Sequence, residues 1–373
     1  MTLSQRELQA CQGCGAKTTF DPVSGQLRCE YCGRSQALPP ANTQLRAAVL
    51  VEHSFSQFIN ANSTQIAALS TTAQEVRCPG CQVTLTFEPP TVADRCPFCA
   101  SSIVVQPQMA NPVLAPAGLI PFQVGRKQAR SALQKWLSNR WFAPNSLKKL
   151  AQQEQLKGIY LPFWTYDSQT SSRYQGRRGE YYYETETYTE TNDEGKTETK
   201  TREVRRTRWY PASGTVSRFF DDVLVPAVHS IRSDWLGLLW PRIKAADLEP
   251  YDPRYLTGFQ AQRYQINLQP GFELAKAQMA GTIRQDVCHD IGGDTQEVIS
   301  VLTQYHDTTF KHVLLPVWMA SYRFQNQQYQ VIINGMNGQV VGDRPYSKWK
   351  IALAVIAAAI VIAGIIMVAQ QNS

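Results

Sequence analysis

The chain predicts an α+β fold: two small zinc ribbons of four cysteines each, a β-rich mixed body with a few helices, and one C-terminal transmembrane helix. Three observations predict it. Eight of the nine cysteines fall into four Cys-x-x-Cys pairs, long stretches alternate with a period of two, and the sequence closes on an apolar run. At 373 residues, 43% hydrophobic and 18% charged, the chain has enough apolar mass for a sizeable core and is not disordered overall. The formal net charge of +7 suits an anionic membrane surface or nucleic acid.

Taken in order, the first element is a ribbon over residues 1–36, with Cys11, Cys14, Cys29 and Cys32. A linker follows over 37–74, with a short helical face at Phe55, Phe58 and Ile59. The second ribbon, over 75–104, carries Cys78, Cys81, Cys96 and Cys99. Residues 11–32 and 78–99 align without a gap, sharing Gly13/Gly80, Thr19/Thr86, Phe20/Phe87, Pro22/Pro89 and Arg28/Arg95. In each, fourteen residues separate the two knuckles, the spacing that lets a hairpin bring four sulfurs around one ion. Two structural zinc ions are therefore expected, each with four protein ligands and no open position for chemistry. A redox reading would need a single pair ahead of a helix in a βαβ context, which these pairs lack. Gly15 and Gly33 follow knuckles of the first ribbon, where Gln82 and Ala100 stand in the second, and a slightly different knuckle geometry is expected there.

A proline-rich tether, 105–121, leads into the body at 122–345. Ala129, Leu133, Trp136 and Leu137 recur with helical spacing over 126–141. The stretch 126–150 has seven Lys or Arg and no acid, fitting a solvated face or contact with lipid headgroups or phosphate. Residues 181–210 alternate Thr with charges on either side of a turn near Asn192 and Gly195, predicting a long polar β-ribbon. A helix is expected over 272–287, followed by strands with a tight turn at Asn337 and Gly338. A fainter repeat relates 161–176 to 315–330 through Leu-Pro-x-Trp, the mark of duplicated β-units within one sheet.

No catalytic residue is assigned, and the chain is expected not to be an enzyme. Gly195-Lys196-Thr197 imitates the end of a phosphate loop, but Glu190 stands where the first glycine is required. Cys288-His289-Asp290 reads as a helix end before Gly292 and Gly293, with the thiol as a small buried hydrophobe. Tyr181, Tyr182, Tyr183, Trp209 and Tyr210 beside Arg205, Arg206 and Arg208 form the mixture used by single-stranded nucleic-acid binders and by half-exposed sheets alike.

Residues 351–369 are uncharged, about 28 Å as a helix, and are expected within a membrane helix at 349–369. Arg344, Lys348 and Lys350 on its N-terminal side, with Trp349, place residues 1–350 in the cytoplasm. The N-terminus, lacking an apolar stretch, is expected to carry no secretory signal. A single-pass protein of the cell (inner) membrane results.

With those residues in hand, the sequence resembles a bacterial family of membrane-anchored proteins with tandem zinc ribbons of transcription-factor-IIB type. That family is commonly labelled primosomal protein N-prime, or replication factor Y, superfamily II helicase. The likeness is carried by the paired ribbons and by residues 135–144, 158–167, 288–298, 309–318 and 342–351. A helicase activity is not expected, because the chain has no Walker A loop and no room for two ATPase lobes. The resemblance implies a recruiting platform at the membrane, with protein partners such as membrane-stress scaffolds of the phage-shock or prohibitin-like kind. A non-catalytic, membrane-tethered adaptor is the leading expectation, and a membrane-associated nucleic-acid-binding protein of replication or transcription the alternative.

Overall fold

Stretches that alternate with a period of two become long strands, and strand dominates the structure. The computed structural model describes residues 10–38, 52–60, 74–87, 93–99, 101–104, 108–109, 114–138, 156–191, 197–324, 327–343 and 348–371. Most of the expected linker, residues 139–150 of the basic stretch, the turn at 192–196 and Arg344 lie outside them.

The first ribbon is a three-stranded sheet of β1 (Thr18–Asp21), β2 (Gln26–Cys29) and β3 (Ser35–Ala37). Between the ribbons, β4 (His53–Ser54) and helix α1 (Phe55–Asn60) lie on the body. The second ribbon has β5 (Gln74–Arg77), β6 (Thr84–Phe87), β7 (Ala93–Arg95) and β8 (Ser102–Val104). Short strands β9 (Gln108–Met109) and β10 (Gly118–Leu119) precede helix α2 (Arg126–Ser138). Helix α2 buries Ala129, Leu133 and Leu137, the expected face.

Two very long strands then form an antiparallel pair, β11 (Lys157–Thr191) and β12 (Thr197–Pro226). Helix α3 (Ser233–Leu239), β13 (Glu249–Pro250) and β14 (Gln260–Gln262) lead to helix α4 (Leu268–Ile291). Helix α4 ends where Gly292 takes φ 65° and its N–H bonds the Cys288 carbonyl at 3.2 Å. Strand β15 (Thr295–Phe324) returns along the other edge of β11, and β16 (Gln327–Asn334) and β17 (Val340–Gly342) complete the sheet. Gly338, at φ 77°, occupies the expected turn between β16 and β17.

The fainter repeat has a physical form. The two copies lie side by side in antiparallel register, with Leu161 opposite Leu315. Each is joined in parallel by a short strand, Ile159 by Gln260 and Val313 by Gly118. The indole of Trp164 donates to the Ile266 carbonyl at 2.8 Å, just before α4. That of Trp318 donates to the Val124 carbonyl at 2.7 Å, just before α2. Two strand–helix–strand–strand units therefore face each other about a pseudo-twofold axis and exchange equivalent hydrogen bonds.

Three apolar clusters hold this frame. Leu119, Phe122 and Tyr160 pack beneath α2. Trp164, Tyr166 and Phe310 pack beneath α4. The third joins Ile159, Leu161 and Phe163 to Trp235 and Leu236 of α3. Helix α4 lies so close to the sheet that a Cβ on Gly271 would come within 2.9 Å of Trp164 Cδ1.

One part of the expected fold class is corrected. The structure is mainly β, at 47% strand with few helices, in line with the β-rich body expected. The expected transmembrane helix is not found: among the described residues no helix is long and apolar enough to cross a membrane. A helix, α5 (Lys348–Gln371), does form there. Leu353, Val355, Ile356, Ile360, Val361 and Ile362 on this helix are exposed.

Candidate metal centres

The sulfurs of Cys11, Cys14, Cys29 and Cys32 lie within 4.8 Å of one another, as do those of Cys78, Cys81, Cys96 and Cys99. The sequence expected these two sets, and the fold assembles both. Cross-knuckle separations are 3.5 Å for Cys11/Cys32 and 3.6 Å for Cys14/Cys29. In the second ribbon they are 3.4 Å for Cys78/Cys99 and 3.6 Å for Cys81/Cys96. A tetrahedron with metal–sulfur bonds of about 2.3 Å has edges of about 3.8 Å, so each quartet needs little adjustment to close on one ion. All nine cysteines are free thiols. Two structural metal sites fit the donor sets.

Local backbone explains the convergence. The N–H of Cys11 bonds the Ala16 carbonyl at 2.7 Å, and that of Gly15 bonds the Cys11 carbonyl at 2.8 Å. Cys29 repeats the pattern with Arg34 and Gly33, at 2.8 and 2.9 Å. So does Cys78, with Val83 at 2.8 Å and Gln82 at 2.9 Å. Gln82 takes φ 62°, close to the 73° of Gly15 and Gly33. The different knuckle expected from Gln82 is therefore corrected: a non-glycine residue accepts the left-handed conformation because the knuckle requires it. Ala100 lies outside the described residues.

The thiols are electrostatically unequal. The backbone N–H groups of Gly13 and Cys14 hold the Cys11 thiol down at about 6. The Cys96 side chain, acting against burial, holds Cys81 at about 5, while the same contact and burial push Cys96 up.

The ribbons differ in how they join the body. Ribbon two is part of the main sheet: β6 pairs with β14, Leu85 opposite Gln262 and Thr86 opposite Ala261. It adds Val76, Val83, Leu85 and Phe98 to the largest cluster. Ser321 Oγ donates to the Phe98 carbonyl at 3.0 Å. Ribbon one keeps its own sheet and docks through Phe20 and Leu27. Phe20 N–H bonds the Thr257 carbonyl at 3.0 Å beside Gly258, whose φ is 85°. A Cβ on Gly258 would lie 3.2 Å from Thr19 Cβ.

A cluster unforeseen from the sequence lies in the inner part of β11, whose outer part with β12, residues 180–191 and 197–208, forms a projecting arm. The ladders shift register on both sides of β11 around Asp167, and the bulges gather Glu52, Asp167 and Asp222 within 4.8 Å. The buried ammonium of Lys311 sits 2.8 Å from Glu52 and 2.9 Å from Asp222. It bridges two of these carboxylates. Burial, then the Glu52 carboxyl, pushes Asp167 up to about 8. Sequence reading had no means to find this group, since Glu52 is remote along the chain and bulges have no firm signature.

Neither Cys288 and Asp290 nor His312 belongs to these clusters. Cys288 is half-buried at the end of α4, and Asp290 accepts a hydrogen bond from Tyr174 at 2.6 Å. His312 is buried, its Nδ1 donating to the Leu114 carbonyl at 2.9 Å, and burial lowers it to about 4. On the arm, Arg205 and Arg208 stack over Tyr181 and Tyr182, at 4.3 and 4.9 Å from the ring centroids. Arg202 and Arg206 pair with Glu186, and Lys200 with Glu190.

An uncharacterized protein, YdjG, of Bacillus subtilis (strain 168) is similar to this chain. The two are 27% identical over 350 residues, covering 92% of this chain and 91% of that protein. No family model and no solved structure matches the chain.

Proposed function

We propose that this protein is a non-catalytic adaptor, held in shape by two zinc ions, that gathers protein partners at the cytoplasmic face of the cell membrane. The observation that carries the reading is the closed character of the two sulfur quartets. Four thiolates satisfy a tetrahedral ion, so the metal would clasp hairpins and leave no position for substrate or activated water. Zinc is the ion proposed, because it prefers four sulfur donors in that geometry and undergoes no redox change.

Several features support recruitment. The arm projects a polar, aromatic-bearing surface away from the core, with Tyr183 65% exposed. The exposed apolar residues of α5 offer a surface for lipid. The resemblance to membrane-anchored tandem-ribbon proteins gives the class of partner, scaffolds that respond to membrane stress.

A nucleic-acid role is the second reading, favoured by the Arg–Tyr stacks on the arm. Ion pairing of Arg202, Arg206 and Lys200 within the arm reduces the charge left for phosphates.

Affinity capture of the zinc-loaded chain from solubilised membranes, beside a form with both quartets changed to serine, tests the proposal. Defined partners retained by the first form and lost by the second are expected. Binding to single-stranded nucleic acid that weakens steeply with salt, with no protein partner, would replace it by the second reading.

A further inference from the structure

Strand β15 flanks β11 only as far as Thr295, which stands opposite Gly179. Beyond that point β11 runs on to Thr191 with β12 on one side. Among the described residues no strand pairs with its other side.

The direction of the backbone groups along this open edge is fixed. The Gly179 carbonyl accepts from Asp294 N–H at 2.9 Å, and Tyr181 N–H donates to Asp294 Oδ2 at 2.7 Å. Alternation along the strand then points the N–H and C=O groups of Tyr183, Thr185, Thr187, Thr189 and Thr191 into the same lane. Asp294 closes its inner end.

We propose that this lane is an interface for a second copy of the chain, the two β11 edges pairing antiparallel about a twofold axis to make a four-stranded ribbon. Geometry favours this occupant. With the arms antiparallel, each body lies beyond the other's tip. With the arms parallel, β11 of the second copy would run into the lane that β15 already fills.

The side chains agree with an axis at Glu186. Thr185 then faces Thr187 of the second copy, Tyr183 faces Thr189, Glu184 faces Tyr188, and Tyr182 faces Glu190. Threonine pairs and pairs of aromatic with β-branched residues stabilise such ladders. Glu186 alone faces a like charge, its own copy across the axis, and each copy brings Arg202 and Arg206 to neutralise it. The outer edge of β12 is a poorer choice, since its self-pairing would gather Lys200, Arg202, Arg206 and Arg208, charges that block edges.

Sedimentation of the metal-loaded full chain is expected to show a dimer. Thr187→Pro removes an outward N–H without touching the β11–β12 ladder, a substitution that edge strands tolerate. It should weaken dimerisation roughly tenfold or more while metal content is unchanged. In a second measurement, Glu186→Cys on a Cys288→Ser background should form a disulfide-linked dimer, because residue 186 would meet itself at about 4.5 Å between Cα atoms. Thr201→Cys, on the far edge, should not. A monomer at all concentrations, or a dimer indifferent to Thr187→Pro and without the 186 cross-link, overturns the proposal. Neither outcome bears on the adaptor reading, which partner capture tests separately.

Discussion

Because ribbon two is built into the main sheet and ribbon one is docked beside it, loss of metal should have unequal consequences. Consider Cys96→Ser and Cys29→Ser, each opening one quartet at a buried sulfur. Ribbon two places Val76, Val83, Leu85 and Phe98 in the central cluster, and full burial of such side chains contributes about 1.5–3 kcal/mol each. Releasing all four would remove about 6–12 kcal/mol, an upper bound because unfolded chains retain some burial. That is comparable with the whole stability of an ordinary domain, about 5–15 kcal/mol. Ribbon one contributes Phe20 and Leu27, about 3–6 kcal/mol on the same scale. Cys96→Ser should therefore lower the urea midpoint of the body and expose α4 to hydrogen exchange. Cys29→Ser should open residues 10–38 and leave α4 protected. Both variants should lose one metal ion. If Cys29→Ser destabilised the body as much as Cys96→Ser, the reasoning from sheet continuity would be refuted.

Other outcomes follow from single contacts. Trp164→Phe and Trp318→Phe each leave a backbone carbonyl without its indole donor, and each should cost about 1–3 kcal/mol in equilibrium unfolding. Gly271→Ala pushes a methyl against Trp164 and should cost about 1–3 kcal/mol by overpacking, seen in thermal denaturation. Asp167 carries a pKa raised from 3.8 to about 8, so the folded form binds the extra proton between those values. Its contribution is present at acid pH and is lost as pH rises through that window, at no more than about 1.4 kcal/mol per pH unit. Asp167→Asn should flatten stability against pH between about 4 and 8, measured by urea unfolding across a pH series.

The quartets were legible in the sequence because a knuckle is local: two cysteines three positions apart, a left-handed residue after them, and a hairpin to unite two such turns. Helix α2 was legible for the same reason, its burial spelled out by Ala129, Leu133 and Leu137. The period of two in residues 181–210 likewise identified a ribbon and which side chains share a face. It could not say which strand lies in which lane. That β15 occupies the far side of β11, and that β14 takes up β6 of the second ribbon, depends on residues far apart in sequence. The carboxylate cluster was hidden for the same reason. The apolar tail shows the opposite error, because composition suggested a crossing where, among the described residues, no helix is long and apolar enough to make one.

The pairing of Leu161 with Leu315 also sets an order of events during synthesis. Strand β11 leaves the ribosome well before β15, so its inner half waits with a bare edge while more than a hundred further residues are made. Contacts so distant in sequence form slowly, and an unguarded edge invites aggregation in the interval. The nascent chain should therefore depend on chaperones until Thr295–Phe324 emerges, and truncations within that strand should precipitate where shortening α5 does not.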